Sequence, residues 1–223
     1  FFLFLKKREF NFRLFCKKNL PGIIAAFLLS LIIFISVESN LRVLSDEANL
    51  IGISKALTYE KRSDNVTSGK WFYDIFHPTN RFTPKRPLLF PFLTSLLHTT
   101  LGYRAENVYV LNAILLFFLF LLVYFIIARR FGYIWGLASV VAVASQPIVS
   151  RVATSGGFEL LAMLFMILSF FCLKIFLNNP IPINFQFLWA NLLILANVRY
   201  EGILTFLIII PMLFIFRLIR KKF

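Results

Sequence analysis

"NVYVLNAILLFFLFLLVYFIIARR", Asn107 to Arg130, decides the fold class of this 223-residue chain. Its first part, 107–128, contains no charged side chain, and a helix needs about 20 such residues to cross a bilayer. Arg129 and Arg130 follow immediately, and the cytoplasmic flanks of membrane spans carry an excess of Lys and Arg. The stretch therefore predicts a transmembrane helix that ends on the cytoplasmic side.

Similar apolar runs occur along the rest of the chain, of which 59% is hydrophobic and only 15% is charged. One soluble core of this size could not bury so much apolar surface, which excludes an ordinary soluble globular domain. We predict an all-α polytopic membrane protein with about six transmembrane helices. The apolar segments lie at 20–37, 107–128, 133–149, 158–177, 185–198 and 201–216.

The positions of these segments also define the domain organisation. Within the long outer loop, Pro87 to Leu101 is too short to cross comfortably and contains Pro91, so we place it as a helix at the outer interface. The chain begins without Met and stops after a basic cluster, which favours a fragment of a longer protein. The predicted parts are a basic cytoplasmic segment 1–19, a first transmembrane helix 20–37, an outer loop with interfacial helices 38–106, and a transmembrane bundle 107–217.

Charge sets the orientation of the spans. With the N-terminus inside, the cytoplasmic side holds 13 of the 24 basic residues and only Glu9 of the ten acidic residues, as expected for cytoplasmic flanks. The net charge of +14 is therefore mainly a topology signal, and a nucleic-acid surface is disfavoured because the charges flank spans. The 13 basic residues predicted on the cytoplasmic side are Lys6, Lys7, Arg8, Arg13, Lys17, Lys18, Arg129, Arg130, Lys174, Arg217, Arg220, Lys221 and Lys222.

Two adjacent carboxylates, Asp46 and Glu47, lie shortly after the first span. Ser45 is predicted as the N-cap of a helix, which places both acids in its first turn. They could simply complement the helix dipole, at about 0.3–1 kcal/mol each. Alternatively, one carboxylate is a general base that removes a proton from an acceptor hydroxyl or amine. The local pattern leaves both interpretations open.

Two sets of cations are also predicted on the outer side. Lys85 and Arg86 precede the interfacial helix, where they could anchor lipid headgroups or grip the phosphate of a lipid-linked substrate. Arg199 and Glu201 interrupt a long apolar stretch in "NVRYEG", which predicts a helix break there. Charges at membrane depth indicate function by default, although a structural ion pair is the alternative.

A third outward turn contains Arg151, "SGG" at 155–157, and Glu159. The glycines allow close backbone approach or a sharp turn. Glu159 is either a helix N-terminal acid or a catalytic or metal-binding group. Cys16 and Cys172 provide too few ligands for a metal cluster, and we predict no certain cofactor. His98 is interpreted as a polar interfacial residue in preference to a ligand. Because paired acids can bind divalent cations, Asp46 and Glu47 leave a divalent metal open.

The order of these motifs resembles a known family. After a basic N-terminus and one span come "SDEA", "PKRPLLFPFLTSLLH", "YFIIARRFG", "SQPIVSRVATSGGFELLAMLF" and "ANVRYEG". This order resembles the N-terminal membrane region of the C-type glycosyltransferases of the dolichyl-phosphate-mannose protein mannosyltransferase type, which includes the bacterial aminoarabinose transferases. The resemblance covers nearly the whole chain.

The resemblance implies roles for individual residues. Asp46 matches the acid that is usually assigned as the catalytic base, with Glu47 as its common neighbour. Lys85 or Arg86 matches the basic position that contacts the donor phosphate, and Arg199 matches a second basic position. Glu159 stands near an Asp of many family members, which differ in their need for metal.

The implied reaction transfers a sugar from a polyprenyl-phosphate donor to a protein, lipid or glycan acceptor on the outer side, with inversion at the anomeric carbon. Two other classes stay open: a transporter or flippase for a lipid-linked substrate, and a non-catalytic membrane subunit. We expect the bacterial inner membrane as the location, with the endoplasmic reticulum as the alternative.

Overall fold

The computed structural model describes residues 12–83 and 85–221, with side chains described within 19–83 and 85–213. Of the predicted cytoplasmic charges, Lys6, Lys7, Arg8, Glu9 and Lys222 lie outside the described residues. The elements are α1 Phe12–Ser36, α2 Leu44–Tyr59, β1 Asn65–Phe72, β2 Ile75–Phe82, α3 Leu89–Leu101, α4 Asn107–Phe131, α5 Tyr133–Ala144, α6 Pro147–Ala153, α7 Glu159–Asn178, α8 Pro182–Val198 and α9 Gly202–Lys221.

Helix α4 lies at the centre of the described structure. It packs against α1, α5 and α7, and the side chains of Leu116 and Phe120 are fully buried. Gly22 of α1 and Gly136 of α5 both face the ring of Tyr124. A Cβ atom at Gly136 would lie 2.9 Å from Tyr124 Cδ2, so a larger residue could not pack there without a shift. Small residues at helix crossings are typical of membrane proteins.

Among the described residues, three helices are long and apolar enough to cross a membrane: Asn19–Ser36 within α1, α4, and α7. The predicted segment 133–149 is not one straight helix, because α5 and α6 meet at a bend of 72°. Pro147 begins α6, and Gln146 before it is extended, with φ −75° and ψ 120°. A proline disfavours helical backbone at the preceding residue, which explains the break.

The last two predicted spans are shorter helices. Helix α8 has 17 residues, and the apolar part of α9 extends over Gly202–Leu213. Helix length alone therefore supports three spans, or four if the bent pair counts as one, and does not confirm the six that were predicted. The first helix also begins earlier than expected, at Phe12, inside the predicted cytoplasmic segment 1–19.

The predicted outer loop contains helices, but also a β-hairpin that was not expected. Helices α2 and α3 pack against each other. Strands β1 and β2 pair antiparallel through a turn in which Tyr73 and Asp74 both have positive φ, as in a type I′ turn. Arg81 of β2 binds Glu60 at 2.6 Å and Asp64 at 3.0 Å, which fixes the hairpin to the end of α2. The loop is therefore mixed in structure, whereas the described chain as a whole is mainly helical, as the all-α prediction requires.

His98 on α3 is a buried link between helices and not an interfacial residue, with 2% of its surface exposed. Asn107 Nδ2 donates to His98 Nδ1 at 2.8 Å, so the proton of the neutral ring lies on Nε2, which donates to Ser54 Oγ at 3.0 Å. Burial lowers the pKa of His98 below its usual value. The side chain therefore joins α2, α3 and the start of α4 in its neutral form.

The connections between helices fall at two ends of the bundle. Asn40 N donates to Thr154 O at 3.1 Å, which brings the end of α1 to the end of α6. All nine acidic side chains of the described residues lie in 37–106 or at 159 and 201, so we call this the acid-bearing end. At the opposite end, Arg129, Arg130 and Lys174 line one cleft. We call this the basic end.

Candidate active site

The acid-bearing end brings together residues that are far apart in sequence. Asp46 lies in the first turn of α2, and Arg86 precedes α3. Arg86 Nη2 lies 2.6 Å from Asp46 Oδ2, and both side chains are a little over one third exposed. The pair is therefore accessible to a substrate, and the cation lies directly beside the carboxylate.

Phe158 joins this pair to the break between α8 and α9. The Arg86 guanidinium carbon lies 5.9 Å from the centre of the Phe158 ring, and that of Arg199 lies 5.8 Å from it. Both cations are within the range in which an aromatic ring attracts a positive charge. Two like charges are thus held at one buried ring, with Asp46 beside the first of them.

Glu201 balances the second cation. Arg199 Nε donates to Glu201 Oε2 at 2.9 Å, and both side chains are about half exposed. The pKa of Glu201 is lowered, first by a backbone hydrogen bond and then by Arg199, with a smaller effect from Arg86. The predicted helix break is confirmed, since α8 ends at Val198 and α9 begins at Gly202.

Glu47 has a different environment from Asp46, although the two residues are adjacent. Its side chain is 4% exposed, and Oε2 accepts from Arg42 N at 3.0 Å and from Gly156 N at 2.9 Å. Oε1 accepts from Val43 N at 3.3 Å. Glu47 therefore satisfies backbone donors at the start of α2 and fixes a distant loop.

The prediction that Ser45 caps this helix is wrong. Val43 is the N-cap and makes no side-chain cap hydrogen bond. Glu47, the fourth residue of α2, instead accepts from Val43 N through Oε1, which resembles a capping box shifted by one position, since the acid of a capping box is the third residue of the helix. The two predicted catalytic acids therefore have different environments. Glu47 is a structural anchor, and Asp46 is accessible and pairs with Arg86.

The loop 154–158 positions Phe158, the residue that both arginines contact. Asn112 of α4 donates through Nδ2 to Ser155 O at 2.7 Å and Gly157 O at 3.1 Å. A Cβ atom at Gly156 would lie 2.9 Å from Leu41 Cδ2 and 3.1 Å from Glu47 Oε2. Of the two roles predicted for "SGG", close backbone approach is the one found at Gly156, and the loop brings Phe158 within 6 Å of both arginines.

The remaining predicted residues lie around this cluster. Lys85 is exposed, and Arg86, not Lys85, makes the ion pair with Asp46. Glu159 begins α7, and its carboxylate folds back over Gly157. Arg151 is exposed on the short helix α6.

An apolar cleft of about 420 Å³ opens near the two arginines. Leu88 in its wall is two residues beyond Arg86, and Asn197 is two residues before Arg199. Only one polar side chain lines the cleft, so its walls suit a hydrocarbon chain. The lining residues are Leu57, Leu88, Leu89, Phe92, Ile194 and Asn197.

Sequence reasoning missed three residues that build the site: Arg42, Asn112 and Phe158. Asn112 gave a signal, because an amide inside an apolar run needs a partner. Phe158 gave none, since it is one of 29 phenylalanines. Arg42 donates through Nη2 to Glu38 O at 3.0 Å and approaches Thr154 Oγ1 at 3.4 Å, and these partners cannot be read from sequence.

Among the described residues, no group of three or more His, Cys, Asp or Glu side chains is placed to hold a metal ion. Asp46 binds Arg86 and Glu47 binds backbone amides, so the adjacent acids have separate partners. Comparisons of the chain with protein-family models, curated proteins and solved structures gave no match.

Proposed function

We propose that this protein is an integral membrane glycosyltransferase that moves a sugar from a polyprenyl-phosphate donor to an acceptor. The observation that carries the proposal is the convergence of Asp46, Arg86 and Arg199 around Phe158, next to an apolar cleft. Such a donor has an anionic phosphate, a hydrocarbon tail and a reactive sugar carbon. In this proposal the two arginines bind the phosphate, the apolar cleft holds the tail, and Asp46 acts in the reaction at the sugar carbon.

The proposed arrangement in the membrane uses six crossings. The three long helices each cross once, the bent pair α5–α6 forms one broken crossing, and α8 and α9 complete the set. The alternation of the connections between two ends supports this count. With cytoplasmic arginines at 129 and 130, the acid-bearing end faces outward, in our proposal from a bacterial inner membrane.

In the proposed reaction, Asp46 is the general base. An acceptor oxygen or nitrogen attacks the anomeric carbon of the sugar from the face opposite the phosphate. The bond from that carbon to the phosphate oxygen breaks, the acceptor proton passes to Asp46, and polyprenyl phosphate leaves with the bonding electron pair. Arg86 and Arg199 stabilise the negative charge that develops on the phosphate.

In this proposal the ion pair between Asp46 and Arg86 sets the order of donor binding and proton transfer. A donor phosphate that binds Arg86 competes with Asp46 for the guanidinium, because both are anions. The Asp46 carboxylate then becomes available to the acceptor proton. Donor binding thus prepares the base, and Glu47 holds the helix that carries it.

The test measures sugar transfer from a labelled polyprenyl-phosphate sugar in membranes that contain the full-length protein. Asp46→Asn is compared with wild type at matched expression, and Asp74→Asn is the control because it makes the same change in the hairpin turn. Loss of a general base lowers the rate by about 10²–10⁴-fold, so we expect a drop of this size for Asp46→Asn alone.

Equal transfer by Asp46→Asn and wild type would reject Asp46 as the base. If no donor gives transfer with any variant, the enzyme proposal fails, and a transporter or a non-catalytic subunit becomes the better explanation. Movement of an intact lipid-linked sugar across the membrane, with no transfer, would identify the transporter.

A further inference from the structure

The tip of the β-hairpin exposes large apolar side chains. Residues 71–76 contain five aromatic or aliphatic side chains and one charged residue, Asp74. Tyr73 is 98% exposed, and the other four are between 42% and 70% exposed. Single exposed apolar residues are ordinary, but a contiguous exposed patch marks an interaction with a protein or a membrane. The other four residues are Trp71, Phe72, Ile75 and Phe76.

These apolar side chains cover both faces of the hairpin. Trp71 pairs with Phe76 across the strands, and their ring centres lie 5.3 Å apart. Phe72 pairs with Ile75, and this pair lies on the other face, because consecutive strand residues point to opposite sides. A flat protein surface would cover one face and leave the other in water. A tip that is apolar on both faces instead suits a medium that surrounds it.

The part of the hairpin behind the tip is polar. Lys70 and His77 form the next cross-strand pair, and further back Ser68 Oγ lies 3.2 Å from Thr79 Oγ1. Because a strand rises about 3.3 Å per residue, the apolar tip extends roughly 10 Å beyond Lys70. This length agrees with the depth of about 5–10 Å to which apolar surfaces enter the boundary between lipid headgroups and acyl chains.

The base of the hairpin is fixed to α2. Arg81 binds Glu60 and Asp64. Asn65 Nδ2 donates to Asn49 Oδ1 at 2.9 Å. The strands have eight residues each, so the tip lies within roughly 25–30 Å of α2. A bilayer around the three long apolar helices would have one surface near the acid-bearing end, and the fixed base keeps the tip within reach of it.

From these observations we propose that the hairpin tip lies in the headgroup region of the leaflet at the acid-bearing end. Trp and Tyr favour this interface, because each combines an apolar ring with a polar group that bonds to water or headgroups. Asp74 keeps the turn at the hydrated level of the headgroups, since burial of its charge in hydrocarbon is costly. The tip thus anchors α2, the helix that carries Asp46, to the lipid surface. The proposal requires that the chain lies in a bilayer, but it does not depend on sugar transfer.

The test measures the fluorescence of Trp71 in the full-length protein in bilayer nanodiscs, after all other tryptophans, including Trp135 and Trp189, are replaced by Phe. Bromine quenches a tryptophan only at close contact. Phosphatidylcholine brominated near the top of its acyl chains is therefore compared with phosphatidylcholine brominated near the chain ends. We expect the first lipid to quench Trp71 more strongly. In the matched control, Trp71→Phe/Thr79→Trp, the probe moves to the polar arm, and both lipids should quench it weakly.

The variant Phe72→Ser/Ile75→Ser tests whether both faces are immersed. It removes two apolar side chains from the face opposite Trp71, and each contributes about tenfold to transfer out of water. We expect quenching of Trp71 by the first lipid to fall towards that of the control. If this variant elutes as an aggregate, Trp71→Phe/Ile75→Trp replaces it, and the first lipid should quench this probe about as strongly as Trp71.

Four results would overturn the proposal. Equally weak quenching of Trp71 and of the Thr79→Trp control would place the tip in water. Protection of Trp71 from the water-soluble quencher iodide, without quenching by either lipid, would show that protein covers the tip. Stronger quenching by the lipid brominated near the chain ends would place the tip below the headgroups. Unchanged quenching in a well-folded Phe72→Ser/Ile75→Ser, or weak quenching in Trp71→Phe/Ile75→Trp, would limit lipid contact to one face.

Discussion

The two ends of the bundle carry basic residues in different settings. At the acid-bearing end, Arg86 and Arg199 each have a carboxylate partner, Asp46 and Glu201, and share one buried ring. At the basic end, Arg129, Arg130 and Lys174 line one cleft near the C-terminal ends of α4 and α7, where basic residues are typical of the cytoplasmic ends of membrane spans. Paired charges can exchange partners during a reaction, whereas cations that flank a span mainly set its orientation. The comparison therefore predicts chemistry at the acid-bearing end and a topological role for the charges at the basic end.

The largest effect after that of Asp46 is expected for Arg86. Arg86→Gln should lower sugar transfer by about 100-fold, because it removes a cation from the charge that develops on the phosphate. Arg104→Gln, which removes an exposed cation from the same end, should transfer like wild type. Initial rates at saturating donor, measured in membranes, check this. Equal rates for the two variants would mean that the cluster is only a structural ion pair.

A second prediction concerns the different roles of Glu47 and Asp46. Glu47→Ala should lower the free energy of unfolding by about 3 kcal/mol, because it leaves the buried N–H of Gly156 and two N–H groups before α2 without an acceptor. Glu38→Ala changes an exposed acid nearby and should have little effect. Thermal unfolding in detergent measures both variants. Normal stability with abolished transfer in Glu47→Ala would contradict its structural role.

The pH dependence of stability tests the role of His98, because its hydrogen bond to Ser54 links α3 to α2, the helix that carries Asp46. Its folded pKa is lowered by burial, so its stabilising effect is complete above the unfolded pKa of about 6.5. As pH falls below that value, the unfolded chain binds a proton that the folded chain resists, and stability decreases by up to about 1.4 kcal/mol per pH unit.

The check is the unfolding free energy of wild type and His98→Gln between pH 7.5 and pH 5, that is about one pH unit or more to either side of the unfolded pKa. Wild type should lose stability towards acid, whereas His98→Gln, although less stable throughout, should give a flatter profile. Identical slopes would show that another group controls the acid response.

The smallest effect is expected for the pair of Arg199 and Glu201. Both side chains are about half exposed, and such pairs contribute about 1 kcal/mol or less. Glu201→Gln should therefore leave stability nearly unchanged, whereas Arg199→Gln should raise the donor concentration needed for half-maximal transfer. Equal donor dependence in the two variants would remove Arg199 from the phosphate site.

Sequence reasoning located most of the helices because long apolar runs leave few alternatives. It failed at two local backbone features, the bend between α5 and α6 and the hairpin. The bend before Pro147 lies inside an apolar run and was not recognised. The hairpin was missed because Gly69 and Pro78 are unfavourable in strands, and Tyr73-Asp74 lacks the glycine that usually marks a type I′ turn.

The candidate site was predicted as a set of residues but not as an arrangement. Asp46, Arg86 and Arg199 were each singled out by charge near an apolar run, and this property is visible in sequence. Their contact depends on Phe158 and on how Asn112 fixes its loop. Such contacts arise from tertiary packing between distant segments, which a single sequence does not reveal.

The hairpin offers a practical way to decide which side of the membrane the acid-bearing end faces. Tyr73 at its tip is 98% exposed, and it lies, like Asp46, in the segment between α1 and α3. A single cysteine placed there, in a chain without Cys16 and Cys172, would react with a thiol reagent that cannot cross the bilayer only if the tip is on the reagent's side. The turn that sequence reasoning overlooked thus becomes a reporter of orientation in intact cells.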